Sequence, residues 1–132
     1  MKYLIDTNIC IFLMKGDLGV LAHFSEKKAF GIGISSISAS ELLFGVHNST
    51  NPGKNRENLI NFLIGVDVLD YGFAAADAYG EIRASLRRKG TPVGELDMLI
   101  AAHAKSEGLT LVTNNTREFS RIEGLSCEDW LV

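Results

Sequence analysis

The sequence predicts an α/β protein with a central, mostly parallel β-sheet of about five strands flanked by helices. Short apolar runs lead directly into small polar residues near both ends of the chain: Tyr3-Leu4-Ile5 meets Asp6-Thr7-Asn8, and Leu109-Thr110-Leu111-Val112 meets Thr113-Asn114-Asn115. Such strands are buried in parallel sheets, and their carboxyl ends open into the ligand crevice. Helical segments separate the strands, which indicates a sheet covered on both faces.

Stop signals and capping residues divide the first half of the chain. Gly16 ends an apolar helix and Asp17 begins the next one, while Asn48-Ser-Thr-Asn-Pro-Gly-Lys54 is the clearest loop in the sequence. Glu41 lies three residues after Ser38, which is the spacing of a capping box at a helix start. The predicted elements are a strand at 2–5, helices at 9–15 and 17–28, a strand at 30–34, a helix that runs to about residue 48, and a helix at 55–65.

The second half of the chain repeats the alternation of strands and helices. An alanine-rich segment with a basic tail predicts a long helix, which the loop Gly90-Thr91-Pro92-Val93-Gly94 ends. The predicted elements are a strand at 66–69, helices at 73–89 and 95–106, a strand at 109–112, a short turn or helix at 115–120, and a strand at 125–127. With no internal repeat, the 132 residues predict a single domain over 1–132.

Charge and cysteine content exclude several classes of protein. The formal net charge of −3 gives no globally basic surface for nucleic acid or membrane, so a nucleic-acid partner would need a local basic patch or a metal ion. Cys10 and Cys127 are too few for a disulfide framework or a zinc cluster. No signal peptide and no apolar run of about 18 residues is present. The chain is therefore predicted to be cytoplasmic, without membrane contact.

Four polar side chains lie where a strand or loop leads into a helix. Asp6 ends the first strand and Asn115 follows the fourth, whereas Glu41 is early in the helix after the second strand. Asp97 is in the first turn of the helix that follows Gly94. Because parallel strands direct their carboxyl ends to one edge of the sheet, we expect these side chains to share a crevice.

Each of the four side chains also has a purely structural interpretation. Asp6 is placed to cap the first helix, and Glu41 is the acid of a capping box with Ser38. Asp97 complements a helix dipole, and Asn115 is a common turn residue. The sequence leaves these interpretations open for each residue alone. Three converging carboxylates without a cation, however, would repel and raise one another's pKa values.

A divalent ion would remove this repulsion. Mg²⁺ or Mn²⁺ takes oxygen ligands and keeps several waters, so a few carboxylates are sufficient. A phosphohydrolase with an aspartyl nucleophile is disfavoured, because such enzymes want a second acid two residues after the first. This chain has Asn8 at that distance from Asp6. We therefore predict a Mg²⁺ site, with Mn²⁺ as the alternative ion.

A series of short motifs spans the chain in order. They are Leu4-Ile5-Asp6-Thr7-Asn8, Ser36-Ile37 with Glu41-Leu42 and Gly45, Arg88-Lys89-Gly90-Thr91-Pro92-Val93-Gly94, Asp97 with Ile100-Ala101, His103-Ala104, Val112-Thr113-Asn114-Asn115, Arg117-Glu118-Phe119 and Glu128-Asp129-Trp130. Together they resemble the PIN-domain ribonucleases over essentially the whole chain. Within that family the chain is most similar to the VapC-type toxins of bacterial toxin–antitoxin pairs, in particular to their enterobacterial branch.

The resemblance implies a PIN-domain fold and a metal-dependent endoribonuclease. The catalytic positions of the family match Asp6, Glu41, Asp97 and Asn115, and its three acidic metal ligands match the first three of these. Asn115 replaces a fourth acid of many PIN domains, and a neutral amide contributes less to holding a second metal ion. Glu118 is expected to compensate in part. Thr7 and Thr113 match hydroxyls that orient ligands or water, and the sequence does not assign the general base.

Basic residues near the predicted acidic site are candidates to bind RNA. An acidic pocket repels RNA, so a basic rim would have to hold the phosphates. The candidates lie before the loop that presents Asp97 and after Asn115; they are Arg83, Arg87, Arg88, Lys89, Arg117 and Arg121. The alternative for 83–89 is a solvated helix end whose cations favour the C-terminal dipole. The sequence does not decide between the two.

The resemblance also implies partners and a substrate. It implies a homodimer and a VapB-type antitoxin whose C-terminal segment crosses an apolar groove and blocks the metal site, with DNA contacted only through the antitoxin. The implied substrate is the initiator tRNA, cut in its anticodon loop, so that translation is inhibited until the antitoxin binds. The alternative function is a catalytically silent binding module within a DNA-binding repressor complex. The intact acids Asp6, Glu41 and Asp97 argue against that alternative.

Overall fold

The computed structural model describes residues 1–131, so the last residue of the domain predicted at 1–132 lies outside the described residues. Helices and strands alternate over these residues in the predicted order. They are β1 (Tyr3–Ile5), α1 (Thr7–Met14), α2 (Leu18–Lys27), β2 (Ile32–Ser35), α3 (Ser36–His47), α4 (Pro52–Leu63), β3 (Asp67–Leu69), α5 (Phe73–Lys89), α6 (Glu95–Ser106), β4 (Thr110–Val112), α7 (Thr116–Phe119) and β5 (Cys127–Glu128), with a 3₁₀ turn at Lys28–Phe30. None of the helices described is both long enough and apolar enough to span a bilayer.

The strand β1 lies at the centre of a five-stranded sheet with the order β3-β2-β1-β4-β5. All four strand pairs are parallel, and Leu4 of β1 is in register with Gly33 of β2 and Leu111 of β4. The predicted parallel α/β sheet of about five strands is therefore confirmed. Because the strands are parallel, the residues that follow β1, β2 and β4 emerge at the same edge of the sheet.

Alternate side chains of the central strand enter two apolar clusters on opposite faces of the sheet. Tyr3 and Ile5 pack with residues of α1 to α4 and with Trp130, whereas Leu4 packs with α5, α6 and α7. This period of two is the geometry of a strand buried on both faces. Each fully buried aliphatic side chain contributes about 1.5–3 kcal/mol of transfer free energy, so both helical layers hold β1 in place.

The start of α3 differs from the predicted capping box. Ser35 is the N-cap, and its Oγ accepts a hydrogen bond of 3.1 Å from the amide of Ile37. Ser38 is already inside the helix with its side chain buried. The capping-box interpretation of Glu41 is therefore wrong, because the helix begins earlier and Glu41 is in its second turn.

The second strand begins at Ile32, after the predicted start at residue 30. Phe30 belongs to the preceding 3₁₀ turn, and Gly31 has a φ of 86°. A Cβ at Gly31 would lie 2.8 Å from Cα of Met1, so glycine is required there both by conformation and by close approach. The turn thereby delays the strand by two residues.

Candidate active site

Asp6 connects the central strand to the first helix and is nearly buried. Its side chain is 5% exposed, and its Oδ1 accepts a hydrogen bond of 3.0 Å from the amide of Ile9. Burial raises the pKa of Asp6, although hydrogen bonds from Thr113 and the backbone oppose the increase. The capping interpretation is thus confirmed. The buried carboxylate nevertheless retains a second oxygen that is not used by the cap.

Glu41 is brought to Asp6 by the neighbouring threonine. Thr7 Oγ1 donates a hydrogen bond of 2.6 Å to Oε1 of Glu41, which joins α1 to α3. Both side chains are partly buried. The charge of Glu41 contributes to the raised pKa of Asp6. Thr7 therefore makes a hydrogen bond to a carboxylate, and its role in orienting a metal ligand stays a prediction.

Asp97 completes the acidic cluster from the first turn of α6. Burial raises the pKa of Asp97 to about 6, with further increases from the charges of Glu118, Asp6 and Glu41. The charges of all three acids therefore act on Asp97. The helix-dipole interpretation holds as well, since Asp97 lies where a carboxylate is favoured by the N-terminus of a helix.

Glu118 joins the cluster through two hydrogen bonds. Its Oε1 accepts a bond of 2.8 Å from the amide of Gly94, and its Oε2 accepts one of 2.7 Å from Nδ2 of Asn115. The backbone amide of Asn115 donates a hydrogen bond of 3.0 Å to Oγ1 of Thr113. These bonds lower the pKa of Glu118, which keeps it ionised. Asn115 thus acts on a nearby acid in this structure, and the compensating role expected of Glu118 stays a prediction.

The donor set fits a hard divalent cation. Asp6, Glu41 and Asp97 have no ion-pair partner among residues 1–131, although their charges oppose one another. No group of three His, Cys, Asp or Glu side chains within the described residues is already drawn into a ligating arrangement. Mg²⁺ does not require a closed cage, because it keeps several waters between itself and its carboxylates. Three carboxylates that repel one another and have no cationic partner among the described residues are therefore suited to binding Mg²⁺.

Three of the predicted RNA-binding cations make contacts within the chain. Arg121 Nη1 donates 2.7 Å to the carbonyl of Pro92, and Lys89 Nζ donates 2.8 Å to Glu123. Arg83 donates 3.1 Å to the hydroxyl of Tyr79. The side chains of the remaining three are exposed and make no hydrogen bond within the described residues; they are Arg87, Arg88 and Arg117. RNA binding by all six stays a prediction.

Arg121 and Glu118 together hold the loop at 90–94. Arg121 binds the carbonyl of Pro92, and Glu118 binds the amide of Gly94, which is the N-cap of α6. Gly94 has no side chain to cap the helix, so Glu118 supplies the acceptor from another element. A Cβ at Gly94 would lie 3.6 Å from Oδ2 of Asp97. The two residues therefore fix the segment that presents Asp97, which charge pattern alone did not predict.

An open groove of about 740 Å³ begins at the acidic cluster. Thr7 and Glu41 line one part of it, and apolar residues of α1 and α3 line another, among them Ile11, Met14 and Leu42. The helix α4 contributes a row of amides at Asn55, Asn58 and Asn61. The resemblance implied an apolar groove, and Ile11 and Met14 of α1 line part of this one. The amide row was missed, although its spacing of three residues was visible in the sequence.

A buried hydroxyl connects the two helices that carry acids. Ser35 Oγ, the cap of α3, lies 2.7 Å from Nδ1 of His103 on α6. His103 is 1% exposed, and burial lowers its pKa, so the ring is neutral. Tyr71 packs edge-on against the ring with centroids 5.6 Å apart. His103 is a structural residue beneath the site.

A family model decides the classification of the chain. The model of the PIN domain matches residues 3–125. The chain belongs to the PIN-domain family. The five-stranded parallel sheet is therefore the fold of a PIN domain, as the ordered motifs predicted.

Individual relatives of this PIN domain define its branch. It is 45% identical to the tRNA(fMet)-specific endonuclease VapC of Shigella flexneri, over 98% of each chain. It is 42% identical to ribonuclease VapC2 of Haemophilus influenzae, over 99% of each chain. The VapC-type resemblance and the endoribonuclease class that it implied are thereby confirmed.

Solved structures similar to this PIN domain contain antitoxin and DNA. The structure of VapBC2 from Rickettsia felis bound to a promoter DNA fragment has a TM-score of 0.94, with 38% identity over 98% of this chain and 99% of that one. DNA-bound VapBC from Salmonella typhimurium has a TM-score of 0.93, with 45% identity over 98% of each chain. The backbone described above is therefore closely similar to chains solved in these VapBC structures.

Proposed function

We propose that this PIN domain is a Mg²⁺-dependent, site-specific endoribonuclease toxin that cleaves tRNA until a VapB-type antitoxin neutralises it. The observation that carries the proposal is the convergence of Asp6, Glu41 and Asp97 from three separate elements, with no ion-pair partner among the described residues. The names of the relatives, which include a tRNA(fMet)-specific endonuclease, support tRNA as the substrate.

Asp6, Asp97 and Glu41 would hold the ion, directly or through water. Oxygen ligands and retained waters suit Mg²⁺, and Mn²⁺ suits the same donor set. When bound, the ion neutralises phosphate charge and makes a coordinated water more acidic. The neutral side chain of Asn115 favours one ion over two in this proposal, with Glu118 as the only additional acid in the cluster among the described residues.

The remaining polar residues would position the carboxylates. Thr7 orients Glu41. The hydroxyl of Thr113 accepts a hydrogen bond from the backbone amide of Asn115 and is also hydrogen-bonded to Asp6. A carboxylate in this cluster is within reach of the water that attacks the phosphate and accepts its proton. The chain thus supplies orientation and a base, and it needs no protein nucleophile.

Thr7→Val is expected to slow cleavage about tenfold, whereas Thr7→Ser is expected to retain most of the activity. Valine has the shape of threonine but cannot donate the 2.6 Å hydrogen bond to Glu41. Partners that orient a ligand typically contribute 10–100-fold to activity or metal affinity. Single-turnover cleavage at saturating Mg²⁺ measures the effect. Equal rates for the valine and serine variants would contradict the role given to the hydroxyl.

The substrate that we propose is the initiator tRNA, cut in its anticodon loop. Single-stranded loops expose bases and phosphates that a protein can hold in an extended form. The exposed cations Arg87, Arg88 and Arg117 would grip the phosphates, with Arg83 beside them. Cleavage there would inhibit translation, and the site of action would be the cytoplasm, where tRNA is used.

The groove beside Glu41 would receive the antitoxin. Its apolar wall of Ile11, Met14 and Leu42 suits an apolar segment, and its end at Thr7 and Glu41 would place that segment over the acids. DNA would be contacted only through the antitoxin, and the PIN domain would act as a homodimer. The structures of related VapBC complexes on DNA support this arrangement.

Met14→Glu is expected to weaken antitoxin binding at least about tenfold without changing the cleavage rate. Met14 lines the groove and is 40% exposed, so a charge there would have to be desolvated on binding. Leu18→Glu is the matched control, because Leu18 is 83% exposed and does not line the groove. Calorimetry with the co-expressed antitoxin measures the affinity. Equal losses for both variants would contradict the groove assignment.

Cleavage of a total tRNA preparation tests the function. Purified protein free of antitoxin is incubated with Mg²⁺ or with chelator, and Asp97→Asn controls for contaminating nucleases. A discrete pair of fragments that needs the metal and is absent with the variant is expected, and sequencing of their ends identifies the tRNA. Intact tRNA, with intact ribosomal and messenger RNA, would overturn the proposal and favour a binding module without catalysis.

A further inference from the structure

A second pocket of about 390 Å³ lies beside the loop that presents Asp97. Buried apolar side chains form its floor, namely Leu86, Val93 and Met98. Two exposed arginines of α5, Arg83 and Arg87, stand at its rim, separated by one helical turn. This pocket is distinct from the antitoxin groove, because no residue lines both.

The pocket combines the planar guanidinium group of an arginine with an apolar surface. The guanidinium of Arg83 lies 6.0 Å from the ring centroid of Tyr79 and donates to its hydroxyl, which holds the cation in place. Thr91 also lines the pocket, and its hydroxyl has no hydrogen-bond partner within the described residues. Arginine planes and apolar surfaces are the groups on which unstacked RNA bases rest, while arginine also binds phosphate. The chemistry therefore favours a nucleotide.

The position of the pocket relates it to the acidic cluster. Val93 immediately precedes Gly94, whose amide binds Glu118, and Met98 immediately follows Asp97. The pocket and the cluster thus share the first turn of α6. An RNA strand bound at the acids would therefore pass close to this pocket.

We propose that this pocket binds one unstacked nucleotide of the RNA, adjacent to the phosphodiester that is cleaved. The base lies on Leu86, Val93 and Met98, and the phosphates contact Arg83 and Arg87. This inference rests on the proposed ribonuclease function and adds a specific subsite to it. The helix dipole explains cations at the end of α5, but it does not explain why they surround an apolar depression.

The test measures binding separately from cleavage. Asp6→Asn serves as the background so that the RNA stays intact, and the probe is a short single-stranded RNA with 2-aminopurine placed at each position in turn. The double variant Arg83→Gln and Arg87→Gln is compared with Lys54→Gln and Arg56→Gln, which remove the same charge from exposed positions on α4. Circular dichroism confirms that each variant is folded.

We expect the Arg83 and Arg87 double variant to bind the RNA about tenfold more weakly and to lose the rise in fluorescence that an unstacked 2-aminopurine shows at one position. The α4 control keeps both the affinity and the fluorescence rise. Unchanged affinity and fluorescence in the Arg83 and Arg87 variant, with tRNA cleavage by the wild-type protein observed, would overturn the subsite alone. A loss of antitoxin affinity without loss of RNA affinity would assign the pocket to protein binding and also overturn it. If the wild-type protein neither binds nor cleaves RNA, the proposed function falls with it.

Discussion

Asp6→Asn is expected to reduce cleavage more than about 100-fold while making the metal-free protein more stable. Loss of a residue that only orients a ligand typically costs 10–100-fold, and Asp6 is itself one of the three proposed ligands. Asparagine keeps an oxygen that can accept the 3.0 Å hydrogen bond from Ile9, so the helix cap survives. Burial and the charge of Glu41 raise the pKa of Asp6, which means that its ionised form is disfavoured in the folded state. Removing the charge therefore raises the free energy of unfolding at neutral pH.

Asp17→Asn is the matched control for this experiment. Asp17 caps α2 in the same manner, accepting a hydrogen bond of 3.0 Å from the amide of Val20, but it lies outside the acidic cluster. We expect almost no change in cleavage or in stability, because Asn and Asp cap helices equally well. Thermal unfolding in chelator and single-turnover cleavage in Mg²⁺ give both readouts. A destabilised Asp6→Asn protein would show that its lost activity is a folding defect.

Arg121→Met is expected to lower kcat about tenfold with little change in KM. Methionine keeps much of the aliphatic length of arginine but cannot donate the 2.7 Å hydrogen bond to the carbonyl of Pro92. The loop at 90–94 would then lose one of the two side-chain hydrogen bonds described above, and Asp97 would lose part of its orientation. Since the bond is exposed, its loss costs only about 0.5–1.5 kcal/mol of stability. Arg121→Lys should restore part of kcat, because lysine can also donate to a carbonyl.

The kinetic split separates this positioning role from the RNA-binding role predicted by sequence. Arg117→Met is the control, since Arg117 is exposed on the neighbouring helix and makes no hydrogen bond through its side chain within the described residues. If Arg117 grips phosphate, its loss raises KM and leaves kcat unchanged. A raised KM with normal kcat for Arg121→Met would instead return Arg121 to the RNA-binding group. Steady-state cleavage of a tRNA substrate over a range of concentrations measures both constants.

The fold was largely predictable because its boundaries depend on local signals. The helix α5 begins and ends at the predicted residues, Phe73 and Lys89, and Gly90 ends it in the left-handed conformation with a φ of 68°. The start of α3 was missed because three nearby serines, Ser35, Ser36 and Ser38, can each serve as an N-cap, and in the structure it is Ser35 that does so. The start of α4 at Pro52 was missed as well, although proline favours the first turn of a helix.

The acids could be predicted as a set, but their roles could not. Residue order identifies Asp6, Glu41 and Asp97, whereas the same Asp6 serves as both helix cap and member of the cluster. No local signal indicates that Arg121 would contact the carbonyl of Pro92, 29 residues away. Charge pattern predicts where a cation is favoured, but it does not reveal which acceptor the folded chain supplies. The contact depends on packing of α7 against the loop before α6, which emerges only in three dimensions.

The central position of β1 has a consequence for biosynthesis. This strand is made first, yet one of its two neighbours in the sheet is β4, at Thr110–Val112. Pairing between strands so distant along the chain is slow, because the entropy of closing the long loop between them is lost before the contacts that compensate for it can form. A nascent chain that has not reached Glu118 lacks one side of the acidic cluster, even though Asp6 left the ribosome long before. Most of this ribonuclease is therefore synthesised before the complete acidic cluster can form.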